Sequence, residues 1–121
     1  PLDDPQDLLD TLPDLVNNGL RYVAIGDSYS SGEGTFSYDD ESCHRGALSW
    51  PDVMVDLSRE PGSSAGLQSV DNRACSGATT SNLFSSFKGT TQVDLSTPDP
   101  SVDLVTLTAG GDALGFPSVL L

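Results

Sequence analysis

Residues 21–34 read RYVAIGDSYSSGEG, and this stretch decides the fold. Val23 and Ile25 are β-branched, the apolar run is short, and Gly26 ends it, which predicts a buried strand over residues 21–27. Residues 28–48 are rich in Ser, Gly, Asp and Thr without apolar periodicity, so they read as one long loop, of a length that is usually functional or disordered in a small domain. Further on, SWPDVMVDLSRE (residues 49–60) has helical spacing, with Ser49 as N-cap and Pro51 tolerated in the first turn. LQSVDNRA (67–74) reads as a second strand, and TTSNLFSSF (79–87) as a short helix capped by Thr79 or Thr80. VDLVTLTAGG (102–111) reads as a third strand, apolar and β-branched before its glycines. Strand, helix, strand, helix, strand is the order of an α/β domain with a parallel sheet. In such sheets ligands bind beyond the carboxyl ends of the strands, where the Ser and Gly clusters of this chain fall.

Upstream, DDPQDLLDTLPDLVNN (3–18) carries Leu8, Leu9, Leu12, Leu15 and Val16 at helical spacing, with Asp4 as cap and Gly19 as stop. Pro13 interrupts it, so one short helix or two broken turns are expected, as an N-terminal helical extension over residues 1–20. There are no internal repeats, and 121 residues suit one domain.

The composition excludes several classes. With 18 acidic and 5 basic side chains the net charge is −13, so nucleic-acid phosphate and anionic membrane surfaces would be repelled. No run approaches the ~18 to 20 apolar residues that span a bilayer, so no integral membrane segment is expected. The acidity reads as a solvated surface, and no Asp-x-Asp-x-Asp-Gly loop argues for calcium; no metal and no cofactor are expected. Two cysteines, Cys43 and Cys75, in a chain with a single Lys and much Ser, Thr, Asp and Gly suit an exported protein, and favour a disulfide over a metal site. The chain opens on Pro1 without a signal-like segment, and reads as processed or excised.

Three segments carry candidate chemistry. Ser28 directly follows the first strand, in GDSYSSGEG (26–34), where its hydroxyl and N–H would face the crevice. A Ser/Gly turn is the plain alternative; a phosphate cradle is opposed by Asp27 and Glu33 and lacks a P-loop Lys. Gly77, in ACSGATT (74–80), sits between the second strand and the next helix, so that its N–H could point into the same crevice. TAGGDALGF (108–116) lies at the carboxyl end of the third strand.

In this order and spacing the three segments resemble the SGNH (GDSL-type) serine hydrolase family, closest to secreted, disulfide-bonded esterases and lipases of actinobacterial type. The resemblance runs from about Arg21 to the C-terminus. It implies a three-layer α/β/α sandwich with a flavodoxin-like parallel sheet, of which residues 21–121 would supply the N-terminal strands. It also implies that Ser28 is the nucleophile and that the Gly77 N–H contributes to the oxyanion hole. CHRGALSWP (43–51) looks like the family's Cys-x-Arg segment, which implies a Cys43–Cys75 disulfide. Closing a loop of about 33 residues would stabilise the fold by roughly 3 to 4 kcal/mol on the loop-entropy model. The implied substrate is a small-molecule, lipid or acylated-glycan ester.

Two departures stand out. The family's third block usually has Gly-x-Asn-Asp, its Asn amide donating to the oxyanion; here the matching residue is Asp112, a carboxylate that would donate only if protonated. The family's general base is a His in an Asp-x-x-His block after the third strand, whereas the single histidine here is His44, at a position without a catalytic role in the family. Expectation is therefore of an N-terminal part of an esterase whose isolated 121 residues have little activity and marginal stability, with an open sheet edge. The alternative is a non-catalytic relative that binds a glycan or lipid in the crevice. A flavodoxin-like nucleotide binder rests only on strand order and the Ser/Gly loop.

Overall fold

The computed structural model describes residues 19–62 and 66–115; the expected helix over 3–18 and the segment 116–121 lie outside them. Strand β1, Leu20–Gly26, is buried from Tyr22 onward. It is the middle of a three-stranded sheet in the order β2-β1-β3, with β2 at Leu67–Asn72 and β3 at Leu104–Thr108. Both pairings are parallel. A chain that places β2 on one side of β1 and β3 on the other reverses its winding at β1. The carboxyl end of β1 is therefore a topological switch point, the place where open α/β sheets bind ligands.

The expected helix over 49–60 is α2, Trp50–Ser58, with the Ser49 hydroxyl accepting from the Asp52 N–H and Pro51 in the first turn. Its Val55 packs on Tyr22, Ala24 and Leu67, the principal core cluster. The opposite face of β1, Val23 and Ile25, stands beside a cavity of about 410 Å³ under residues 91–99. On that face the register sets Val105 against Val23 and Leu107 against Ile25, yet Val105 and Leu107 are 54% and 55% exposed.

Several boundaries differ from expectation. Residues 28–48 are not wholly loop: Ser28–Ser31 form a helical turn, α1, because the Asp27 carboxylate accepts from the Tyr29 N–H and the Asp27 carbonyl accepts from Ser30 and Ser31. Residues 79–87 hold only a 3-10 turn, Ser81–Leu83. Only Leu83 of that turn is buried, so no apolar stripe drives a longer helix, and the Ser85 hydroxyl takes the Ser81 carbonyl in competition with the backbone. Neither threonine caps the turn; instead the Asn82 side chain accepts from the Thr79 N–H and hydroxyl. Strand β2 ends at Asn72 rather than 74, and β3 spans 104–108 rather than 102–111.

Candidate active site at the carboxyl end of the sheet

Three segments converge on Gly26 and Asp27. From the third, the Thr108 carbonyl accepts from the Asp27 N–H at 3.0 Å, and the Thr108 hydroxyl donates to the Asp27 carboxylate at 2.9 Å. From the second, the Cys75 N–H donates to the Gly26 carbonyl at 3.0 Å. Gly26 can only be glycine here: φ is +136°, and an added Cβ would stand 2.1 Å from the Thr108 carbonyl oxygen. The missing side chain is what lets β1 and β3 close at this end.

Asp27 is 2% exposed and is the N-cap of α1. It thus sets the backbone at Ser28, the first helical residue and only partly buried. Among the described residues the Ser28 hydroxyl has no hydrogen-bond partner. Its neighbours are all engaged: Ser30 with the Thr108 hydroxyl at 2.8 Å, and the Ser30 carbonyl with the Asn72 amide at 2.9 Å.

Gly77 is exposed, at φ +91°. Its N–H is likewise unpaired among the described residues. The peptide before it is held firmly. Ser76 N–H donates to the Cys43 carbonyl (2.9 Å), the Ser76 hydroxyl donates to the Glu33 carboxylate (2.7 Å), and the Lys88 ammonium donates to the Ser76 carbonyl (2.8 Å). Cys43 and Cys75 form a disulfide. Both are fully buried with Ala78, against which Phe87 packs.

Asp112 lies in the turn after β3, where Leu114 N–H bonds the Gly110 carbonyl and Gly115 N–H the Asp112 carbonyl. Burial first, and then repulsion from the Asp27 carboxylate, push the Asp112 carboxyl above its ordinary value, against the pull of Lys88. Asp27, Asp112 and Lys88 thus share one electrostatic environment. His44 does not stand alone: its Nδ1 lies 2.6 Å from the Glu33 carboxylate and its ring stacks on Tyr38 at 4.6 Å. Hydrogen bonds from Ser76, then His44, hold the Glu33 carboxyl below its ordinary value. Among the described residues no three His, Cys, Asp or Glu side chains gather as a metal-binding group, and no helix is long and apolar enough to cross a membrane.

A family model described as GDSL-like Lipase/Acylhydrolase matches residues 22–116. The chain belongs to that family. It is also 39% identical over 101 residues to a protein named Lipase from Streptomyces rimosus, covering 82% of this chain and 32% of that protein. The chain therefore spans about a third of that relative's length. No solved structure matches it.

Within this GDSL-like chain, sequence reasoning singled out Ser28, Gly77 and Asp112 and missed the side chains that brace Gly26 and Ser76 beside them. Glu33 lies in the first segment and was read only as opposing phosphate; it ties that segment to Ser76. Lys88, the single lysine, reaches Ser76 from a turn just beyond the segment that sequence spacing read as helix. The Gln92 side chain closes on the backbone of Gly26, a contact 66 residues away in sequence that no local signal announces. The cavity beside Val23 and Ile25 includes none of Ser28, Gly77 or Asp112.

Proposed function

We propose that the whole protein is a secreted serine hydrolase of carboxylic esters, acting on a small-molecule, lipid or acylated-glycan ester, with Ser28 as nucleophile. The observation that carries this reading is the convergence of the three segments on Gly26 and Asp27, with a Ser28 hydroxyl at the start of α1 that is unpaired among the described residues. In the proposed cycle Ser28 Oγ attacks the ester carbonyl carbon and its proton passes to a general base. The N–H groups of Ser28 and Gly77 receive the resulting oxyanion. The tetrahedral intermediate collapses, the C–O bond to the alcohol breaks, and the base returns the proton to the leaving oxygen. Water repeats the sequence on the acyl-enzyme to release the acid.

The base is not assigned to His44, whose position has no catalytic role in the family; its Nδ1 pairs with Glu33 and its ring stacks on Tyr38. The reading instead takes it from an Asp-x-x-His segment of the longer protein, consistent with this chain matching 32% of its relative. A buried disulfide supports an oxidising compartment. Asp112 favours a second reading, a crevice that binds a glycan or lipid without turnover, because an ionised carboxylate there would repel an oxyanion.

A fluorophosphonate applied to the full-length protein tests the choice. Labelling that disappears in Ser28→Ala is expected. A folded protein that takes no label, or one whose Ser28→Ala variant labels as well as the wild type, sinks the hydrolase reading in favour of the binding one.

A further inference from the structure

We infer that Lys88 is a positioning residue for the oxyanion hole, orienting and polarising the Ser76–Gly77 peptide so that the Gly77 N–H faces the reacting carbonyl oxygen. The inference rests on the hydrolase reading and adds to it a residue that acts through a peptide bond rather than on substrate.

The argument begins with peptide geometry. In a trans peptide the C=O and the following N–H point in opposite directions and belong to one conjugated unit. The Lys88 ammonium donates to the Ser76 carbonyl at 2.8 Å, while the Gly77 N–H on the other side is unpaired among the described residues. A charged donor on the oxygen withdraws electron density from the unit and makes its N–H a stronger donor. It also opposes rotation of a peptide that leads into glycine at φ +91°, where rotation would otherwise be easy. The Ser76 N–H and hydroxyl are held by Cys43 and Glu33, so the Lys88 bond is the contact on the oxygen of this peptide itself.

The way the chain delivers Lys88 supports a purpose beyond the turn. Phe87 and Thr90 exchange both backbone hydrogen bonds, at 2.9 and 3.0 Å, across Lys88 and Gly89. Both central residues have positive φ, +49° and +82°. Such a turn favours Asn-Gly, and a lysine at its first central position is disfavoured by its Cβ. The ammonium stands 5.4 Å from the Phe87 ring centroid and within van der Waals reach of where a Gly77 side chain would be. Arg21, Arg45 and Arg73 pair instead with Asp99, Asp40 and Asp71. Lys88 is the cation whose field reaches both Glu33 and Asp112.

The turn makes the test selective. In the full-length protein, Lys88→Asn places the preferred residue at a left-handed position, so thermal stability should hold or rise. Turnover of a soluble p-nitrophenyl ester should nevertheless fall about 10- to 10²-fold in kcat with KM within about twofold, less than the 10²- to 10³-fold typical of removing an oxyanion donor outright. Lys88→Met should show the same kcat loss, and Lys88→Arg should recover most of it. A merely structural lysine would not move stability and kcat in opposite directions. Unchanged kcat in both Lys88→Asn and Lys88→Met overturns the inference, as does a rise in KM alone, which would make Lys88 a substrate-binding group. If Ser28→Ala hydrolyses the ester as fast as the wild type, or the wild type shows no hydrolysis, the hydrolase reading fails and this inference with it. Unchanged kcat in the Lys88 variants, with Ser28→Ala inactive, overturns this inference and leaves that reading intact.

Discussion

The Gln92 side-chain amide closes on both backbone groups of Gly26, accepting from its N–H at 2.6 Å and donating to its carbonyl at 2.9 Å. It occupies the side of β1 that β2 leaves after Asn72, and so stands in for a strand. Arg73 anchors it by donating to the Gln92 carbonyl at 3.0 Å. Gln92 is 1% exposed, so the pairing is made away from water.

Gln92→Ala should lower stability by about 1–3 kcal/mol, because the Gly26 N–H is left buried and unpaired. The urea midpoint measures it. Gln92→Leu separates the causes: it refills the space without restoring a donor or acceptor, so its loss should persist. Recovery in Gln92→Leu would mean that packing, and not the hydrogen bonds, holds the end of β1.

Reduction of Cys43–Cys75 should lower the melting temperature. The bridge spans 32 residues, for which chain entropy gives about 3–4 kcal/mol. The double variant Cys43→Ala with Cys75→Ala should show a similar loss and no further response to dithiothreitol. An unchanged melting temperature on reduction would contradict a stabilising disulfide.

Asp112→Asn should act on stability and on turnover. A carboxyl whose folded pKa lies above its unfolded value binds its proton more tightly when folded, so stability falls as pH rises from the unfolded to the folded value. Removing the charge should therefore raise the melting temperature at pH 7, with the gain vanishing below about pH 3, where the unfolded carboxyl too is protonated. If the hydrolase reading holds, an amide donor at this place should also raise ester turnover, by up to about 10²- to 10³-fold. A melting temperature that rises equally at both pH values would refute the electrostatic account.

Glu33 has the opposite sign. Its pKa is depressed by Ser76 and His44, so its contribution is present above the unfolded value and is lost as pH falls through the folded one. Glu33→Gln should be slightly less stable at pH 7, by about a few tenths of a kcal/mol given its exposure to solvent, and no different in acid. Thermal melts of the two proteins at pH 7 and pH 3 read this directly.

The sequence by itself determined the parallel α/β framework. Val23 and Ile25 before Gly26, Ser49 with Pro51 at the head of α2, and the apolar run of β3 are local signals, and local backbone preferences and burial patterns act over a few residues. They also located the three segments at strand ends, because small polar residues directly follow each apolar run. Tertiary structure decided the rest. A 3-10 turn at Ser81–Leu83 replaced the helix expected over 79–87, since those residues bury too little apolar surface to sustain one, and the turn that follows at 87–90 carries Lys88 to Ser76. Gln92 reaches Gly26 and Glu33 reaches Ser76 across 66 and 43 residues. Such contacts depend on where distant segments come to rest. Hydrogen bonds discriminate at distances of about 3 Å, far finer than any spacing in a sequence can specify.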